Sequence, residues 1–242
     1  MPRQNYHLMG TIFNQQAVAT WGSARTRAQR WYTHLNFAAR KYVIPNHKQR
    51  LAHFFAQCIE ESGYLQFVVE GGGASASYAP WFGRGLIQLT HLGNYQEYGR
   101  FRGWTVQPGV SPIYAQLGWN PDQRLALSDF SCADSAGFYW VCTRINATAT
   151  HMNSPSDQGI TPPDVLAVSR GVNGNVSVER VNGLDIRVQL ATYLKYIFLE
   201  NVLPSGNRPT ETVTFTWRNR SQPRPFTPVL RTLNVILTPQ RP

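Results

Sequence analysis

Apolar residues recur at helical spacing through the first third of the chain. Between Arg25 and Tyr42, the residues Trp31, Leu35, Ala38, Ala39 and Tyr42 fall on one stripe, which predicts an amphipathic helix. Pro45 interrupts it. Asn46 and Gln49 stand at the spacing of an N-cap and its reciprocal partner, and a second helix is predicted from about His47 through Leu51, Phe54, Phe55, Cys58 and Ile59, with Gly63 to end it. Further helices are predicted around Asn94 to Tyr98, Ser128 to Val141 and Leu184 to Leu199, the last with Ile186, Leu190, Leu194 and Ile197 on one face. The stretch from Val68 to Arg84, rich in Gly, Ser and Ala, reads as loop, and so does Asn146 to Pro163. Residues 1–22 show no period and read as an arm. After Leu203 the texture changes: PSGNRPT is a turn cluster, TVTFTW alternates as a strand does, SQPRPFTP is Pro-rich, and VLRTLNVIL reads as a second strand. Two short strands are marginal alone in water, so this segment is expected to pack on the main body or on a partner. The pattern therefore predicts a mainly α chain with an arm at 1–22, a helical domain at 23–202 and a basic, Pro-rich appendage with two strands at 203–242.

Composition narrows the class. With 242 residues, 42% of them hydrophobic and 12% aromatic, the chain carries enough apolar mass for a sizeable core, which excludes global disorder. No apolar run approaches the roughly 18 residues a membrane span needs, and MPRQNYHLMGTIFNQQ lacks the apolar stretch of a secretory signal. Three cysteines, Cys58, Cys132 and Cys142, are too few and too scattered for a disulfide framework or a zinc site. They read as small core hydrophobes, in keeping with synthesis in a reducing compartment. The net charge of +10 is uneven: residues 1–59 hold eight Lys or Arg and no acid, and residues 203–242 hold six Arg against Glu211, which leaves −3 for the middle. Basic ends around an acidic middle suggest attraction to a polyanion, which nucleic acid, anionic lipid or an anionic cell wall would satisfy, or simply a solubilising surface. No interleaved basic and aromatic recognition motif supports nucleic acid.

The first carboxylates in the chain arrive as the pair Glu60 and Glu61 in AQCIEESG, at the end of the second helix, and Glu70 follows just before three glycines. Hydrolysis of a glycosidic bond needs one protonated and one ionised carboxyl group, spaced about 6.5 to 9.5 Å apart in an inverting enzyme. Nine residues of continuous helix would put Glu61 and Glu70 about 13.5 Å apart. The helix must therefore stop between them, at Ser62-Gly63, with Glu70 returning on a loop that Gly71, Gly72 and Gly73 make mobile. Glu61, beside the apolar end of its helix, is the better proton donor, and a more exposed Glu70 the better base. On spacing alone, three solvated surface carboxylates are the readier reading.

The wider segment resembles a known family. FGRGLIQLTHLGNYQEYG at 82–99 is similar to the hallmark of family 19 glycoside hydrolases, the plant chitinases and the phage endolysins that share a lysozyme-like fold. AQCIEESG, Glu70 and GRGLIQLT stand in the order of the phage branch, LNFAARKYVIPNHKQRLAHFFAQ resembles the endolysin N-terminal helices, and SAGFYW, VNGN and NGLDIR resemble the downstream landmarks. The resemblance covers about residues 30–199. It implies a mainly α, two-lobed, lysozyme-like domain in which Glu61 is the general acid, Glu70 the base, and Thr90 a helper that holds the attacking water. Gln88, Asn94 and Tyr95 would line the sugar groove, Asn173 would contribute from the far side, and Arg187 would support the carboxylates electrostatically. Arg84, Gly83 and Gly85 read as loop architecture, and Tyr98, Phe138, Tyr139 and Trp140 as core.

The function so implied is a muramidase of the lysozyme or endolysin type, an inverting hydrolase of peptidoglycan that needs neither metal nor organic cofactor. The alternatives are a chitinase, or a catalytically weak sugar-binding or virion structural module on the same fold. A muramidase made in the bacterial cytoplasm without a signal would reach the wall after holin opening, within a phage particle, or as cargo of a contact-dependent secretion system. The expected partners are peptidoglycan, a virion or secretion carrier bound through the C-terminal segment, and an immunity protein, with no nucleic acid. This sequence departs from the family where Glu60 replaces the usual His, which would add negative charge to the cleft if it faces it, and where NGG has become Asn173-Gly174-Asn175 followed by VSVERV.

Overall fold

The computed structural model describes residues 18–142, 152–174, 176–199, 210–217 and 229–236. Among them the chain is mainly helical: α1 (Val18–Lys41), α2 (Lys48–Glu61), α3 (Leu92–Phe101), α4 (Asp129–Cys142), α5 (Asn153–Ser156), α6 (Pro162–Asn173) and α7 (Leu184–Leu199). Strands β1 (Thr210–Trp217) and β2 (Val229–Ile236) pair antiparallel, Thr210 opposite Ile236 and Trp217 opposite Val229. Short helical turns at Ile44–Asn46, Gly73–Ser75, Pro112–Tyr114, Asp122–Ala126 and Val178–Arg180 fill the connections.

Helix α2 is the centre of the core. Its residues 52–60 are all buried, including the polar His53, Gln57 and Glu60, because α7, α6 and α5 pack around it. Phe54 packs edge-on against Trp140 of α4, ring centroids 5.4 Å apart, and burial of such a side chain contributes about 1.5–3 kcal/mol. The stripe Trp31, Leu35, Ala38, Ala39 of α1 is buried as its spacing predicts, and Trp31 Nε1 donates to the carbonyl of Leu65 at 3.0 Å. On α7, Ile186, Leu190 and Leu194 are buried; the side chain of Ile197 lies outside the described residues. Tyr98, Phe138, Tyr139 and Trp140 are core, as expected.

Asp134 of α4 ties three helices together. Its buried carboxylate accepts from Lys41 Nζ at 2.6 Å, Tyr42 Oη and Tyr98 Oη at 3.0 Å each, and Arg102 Nη1 at 3.2 Å. Burial first, and the Asp134 charge after it, push both phenols well above their usual range, so both remain donors.

Several expectations are corrected. The predicted N-cap at Asn46 falls inside the turn before α2; His47 is the cap and makes no side-chain capping bond. Helix α1 starts at Val18, within the stretch read as an arm, because VATWGSARTR contains no proline to stop it; residues 1–17 lie outside the described residues. The region read as loop from Asn146 to Pro163 contains α5 and the start of α6, with residues 143–151 outside the described set. Helix α6 begins with a capping box in which the Thr161 N–H and hydroxyl both reach Asp164 Oδ2, at 2.8 and 2.6 Å, and Pro sits in its first turn. Cys58 and Cys132 are buried, but Cys142, at the end of α4, is exposed rather than core.

Candidate active site

Glu61 is the last residue of α2, and its surroundings are polar rather than the apolar helix end the sequence suggested. Oε1 accepts from Arg187 Nη2 at 2.5 Å and from Asn173 Nδ2 at 2.9 Å. The guanidinium is 1% exposed and the carboxylate 17%. Each donor is braced in turn: Arg187 Nη1 donates to Gln57 Oε1, Arg187 Nε donates to the Asn182 carbonyl at 2.9 Å, and the Asn182 N–H donates to Asn173 Oδ1 at 2.9 Å. The last bond fixes the orientation of the amide, so that its NH2 group meets Glu61. Asn173, expected on the far wall of a groove, is thus a direct partner of Glu61 at the C-terminus of α6.

Glu60 does not face the cleft. It is 1% exposed and lies beneath Gly183, whose added Cβ would sit 2.0 Å from Glu60 Oε1. Gly183 has φ +60°, so both backbone geometry and space call for glycine at the entry to α7. One turn back on α2, burial and then the charge of Glu61 push the Cys58 thiol far above its usual value, which keeps it out of nucleophilic chemistry.

From Glu61 the chain turns sharply. Ser62 Oγ donates to the Cys58 carbonyl at 2.6 Å and accepts from the Leu65 N–H at 3.0 Å, while Gly63, Tyr64 and Leu65 all take left-handed backbone angles. Two non-glycine residues in that region are a local strain that the Ser62 bonds and the burial of Leu65 hold in place. The turn delivers Glu70 to a fastened loop, where the sequence suggested a mobile one. The Glu70 N–H donates to the Gly83 carbonyl at 2.9 Å, the Gly83 N–H returns a bond to Oε2 at 2.8 Å, and Tyr78 Oη donates to Oε1 at 2.5 Å. The bond to Glu70 foremost, with burial adding to it, pushes the Tyr78 phenol up to about 12, so it stays a donor at any working pH.

The loop from 81 to 91 carries the other predicted residues. Gln88 (φ +53°) donates from Nε2 to the Gly85 carbonyl at 2.9 Å, and its side chain packs on Gly83, where a Cβ would meet Gln88 Oε1 at 2.7 Å. Thr90 Oγ1 donates to the Gln88 carbonyl at 2.8 Å, and Asn94 Nδ2 donates to the Thr90 carbonyl at 2.6 Å. Glu70, Gly83, Gln88, Thr90 and Asn94 therefore form one linked series. Tyr95 is a correction: it is fully buried, its hydroxyl donating to the Phe82 carbonyl at 2.5 Å and accepting from Arg84 Nη1 at 3.0 Å, so it supports the loop from below instead of lining a groove. Arg84 is architecture, as expected; fully buried, it stacks 3.9 Å over the Phe82 ring and meets Asp122 at 2.8 Å.

Sequence reasoning passed over Gln57, Tyr78 and the Gly83 N–H. Gln57 had a signal, since it stands four residues before Glu61 on the same helix face. Tyr78 had none, because its bond to Glu70 closes across an irregular loop. Among the described residues no group of three or more His, Cys, Asp or Glu side chains is arranged to hold a metal ion, and no helix is long and apolar enough to cross a membrane.

No protein-family model and no curated protein sequence matches the chain. Among solved structures it is similar to chitinase C from Streptomyces griseus HUT6037, with a TM-score of 0.53 at 18% identity over 71% of this chain and 74% of that one. A variant of chitinase C gives 0.50 at 19% identity over 71% and 90%. A family GH19, class IV chitinase from Zea mays gives 0.48 at 20% identity over 79% and 90%. At these identities the likeness is one of fold, and the first two carry it. The chain has the lysozyme-like helical fold of the family 19 chitinases.

Proposed function

We propose that the protein is a glycoside hydrolase of the bacterial cell wall, cleaving the β-1,4 bond between N-acetylmuramic acid and N-acetylglucosamine with inversion. The observation that carries this reading is the way Glu61 is held. Both of its donors, Arg187 and Asn173, land on Oε1. An acid proton on that oxygen would oppose two N–H groups, so it belongs on Oε2, which is the oxygen that delivers it to the leaving sugar. Glu70 complements it, since each of its oxygens accepts a bond, from Tyr78 and Gly83, as an ionised base does. In the reaction, water adds its oxygen to the anomeric carbon and gives a proton to Glu70, while Glu61 protonates the departing glycosidic oxygen. Thr90 is assigned to hold that water. Proton exchange with solvent resets both carboxyl groups.

The net charge of +10 and the phage-like order of the motifs favour an anionic wall over neutral chitin. The solved structures of similar fold are described as chitinases, which favours chitin as the second reading. A degradation assay on purified peptidoglycan and on chitin oligomers, with mass analysis of the fragments, separates the two. Release of muropeptides with a reducing N-acetylmuramic acid end, lost in Glu61→Gln and Glu70→Gln, is the expected result. Turnover of chitin alone overturns the wall reading, and undiminished turnover in Glu61→Gln overturns the mechanism.

A further inference from the structure

We propose that a cation-bearing aromatic surface, formed by the end of α1, the end of α3 and the start of α4, binds the anionic glycan strand outside the catalytic groove. The inference rests on the wall reading above. Phe37 is 52% exposed and Phe101 47%, and neither stands alone. Phe37 packs on Phe130 with ring centroids 5.4 Å apart. Lys41 Nζ lies 4.8 Å from the Phe101 centroid, and the Arg102 guanidinium lies 5.1 Å from Phe130 and 5.1 Å from Trp104. Scattered single apolar residues on a surface are ordinary, whereas exposed rings joined through two cations make a patch.

The charge of this patch is not cancelled. Lys41 and Arg102 share the one buried carboxylate of Asp134, Arg100 pairs with Glu97, and Arg40 is exposed on α1. Four cations thus meet two carboxylates, a surplus of two; nearby Asp129 is taken by Arg30. Asp134 also fixes the Lys41 ammonium and the Arg102 guanidinium, so little side-chain freedom remains to be lost when a ligand binds. Phe37, Arg40 and Lys41 stand at i, i+3 and i+4 on α1 and present one face. Half-exposed rings offer flat apolar area to sugar faces, and the surplus charge suits the carboxylates of wall peptides. The surface also follows on from the proposed groove: Phe101 stands seven residues after Asn94 on α3, close to two turns along one face, about 10.5 Å further on. A long strand held near Asn94 has an onward contact there, and a short fragment does not.

The test is retention of the full chain on insoluble peptidoglycan sacculi, beside turnover of a short soluble peptidoglycan fragment. The variants are Phe37→Ala with Arg40→Ala, and Arg40→Ala with Arg100→Ala as a pair confined to surface charge. About tenfold weaker retention of the first, a smaller and salt-sensitive loss in the second, and unchanged fragment turnover and Tm support the proposal. Retention equal to wild type in both overturns it, as does a loss matched by an equal loss of fragment turnover. Wild-type protein retained on single-stranded DNA and not on sacculi also overturns it. A wild type that is retained on sacculi but cleaves nothing defeats the hydrolase reading and leaves the retention comparison standing, so the two failures are distinguishable.

Discussion

Arg187→Met removes the guanidinium that three groups depend on. Glu61 Oε1, Gln57 Oε1 and the Asn182 carbonyl all accept from it, and it is almost fully buried while its carboxylate partner is 17% exposed. Removing it leaves three acceptors without their donor in a poorly solvated site and costs about 3–5 kcal/mol. At roughly 2–4 °C per kcal/mol for a chain of this size, that is a fall in Tm of about 6–20 °C. Arg187→Lys keeps the charge but replaces a planar fork by a single ammonium, which cannot reach all three acceptors at once; it should fall between Met and wild type. Urea denaturation of Arg187→Met, Glu61→Gln and the double variant measures the coupling directly. An interaction energy of about 1–3 kcal/mol is expected between the two sites. Additive single-variant effects, or an Arg187→Met cost below about 1 kcal/mol, would refute the reasoning that this pair is held in a partly desolvated site.

Gly183→Ala places a methyl group 2.0 Å from Glu60 Oε1 at φ +60°, so it should cost more than about 2 kcal/mol in urea denaturation; a change under about 0.5 kcal/mol would remove the close approach. Asp134→Ala strips the shared acceptor from Lys41, Arg102, Tyr42 and Tyr98 and should cost about 3–5 kcal/mol, read as an early urea midpoint, whereas a neutral effect would mean the hub is dispensable. His53 is fully buried with Nε2 2.7 Å from the Gly159 carbonyl, and its Nδ1 has no hydrogen-bond partner among the described residues; burial lowers its folded pKa. Since the unfolded chain then binds the extra proton first, its contribution is complete above about pH 6.5 and is lost as pH falls through the lower folded value, a limb that His53→Gln should flatten in a Tm-against-pH series.

The helices were legible where one face is apolar for several turns. Trp31, Leu35, Ala38 and Ala39 repeat at the helical period, and the same rows are buried. Helix α6 was missed because its start, Thr161-Pro162-Pro163, falls at the end of the segment read as loop, although a capping residue, Pro in the first turn and an acid, Asp164, three residues on are a helix entry. Tyr95 was misplaced for a related reason: a phenol suits a sugar groove and a buried hydrogen bond equally well. The period of α3 decides it, since Tyr95 and Tyr98 stand three apart on the buried row while Asn94 and Gln96 turn outward. For the site, the order of motifs pointed to Glu61 and Glu70 but carried no information on how each is held. Gln57 was readable at one helical turn from Glu61. Tyr78, Gly83 and the turn at Asn182 were not, because those contacts depend on how irregular segments close on one another.

The uneven charge of the sequence has an internal explanation as well as an external one. Arg30, Lys41 and Arg50, three of the eight cations before residue 60, pair with Asp129, Asp134 and Asp157, which lie 99, 93 and 107 residues further on. A stretch without acids is thus partly the complement of an acidic middle, and folding brings the two together as staples between α1 and α4 and between α2 and the segment after α5. The two solvent-accessible pairs, Arg30–Asp129 and Arg50–Asp157, contribute at most about 1 kcal/mol each, so their main effect is to set which helix faces meet. A cation with an acid to itself adds little attraction for a polyanion. Attraction must come from cations left without an acid of their own, and on the described surface Arg40, together with the excess around Asp134, is gathered beside exposed aromatic rings. Arg30 and Arg50 thus serve the pairing alone and Arg40 the proposed surface alone, while Lys41 belongs to both, because Arg102 shares its carboxylate and leaves a surplus of charge there.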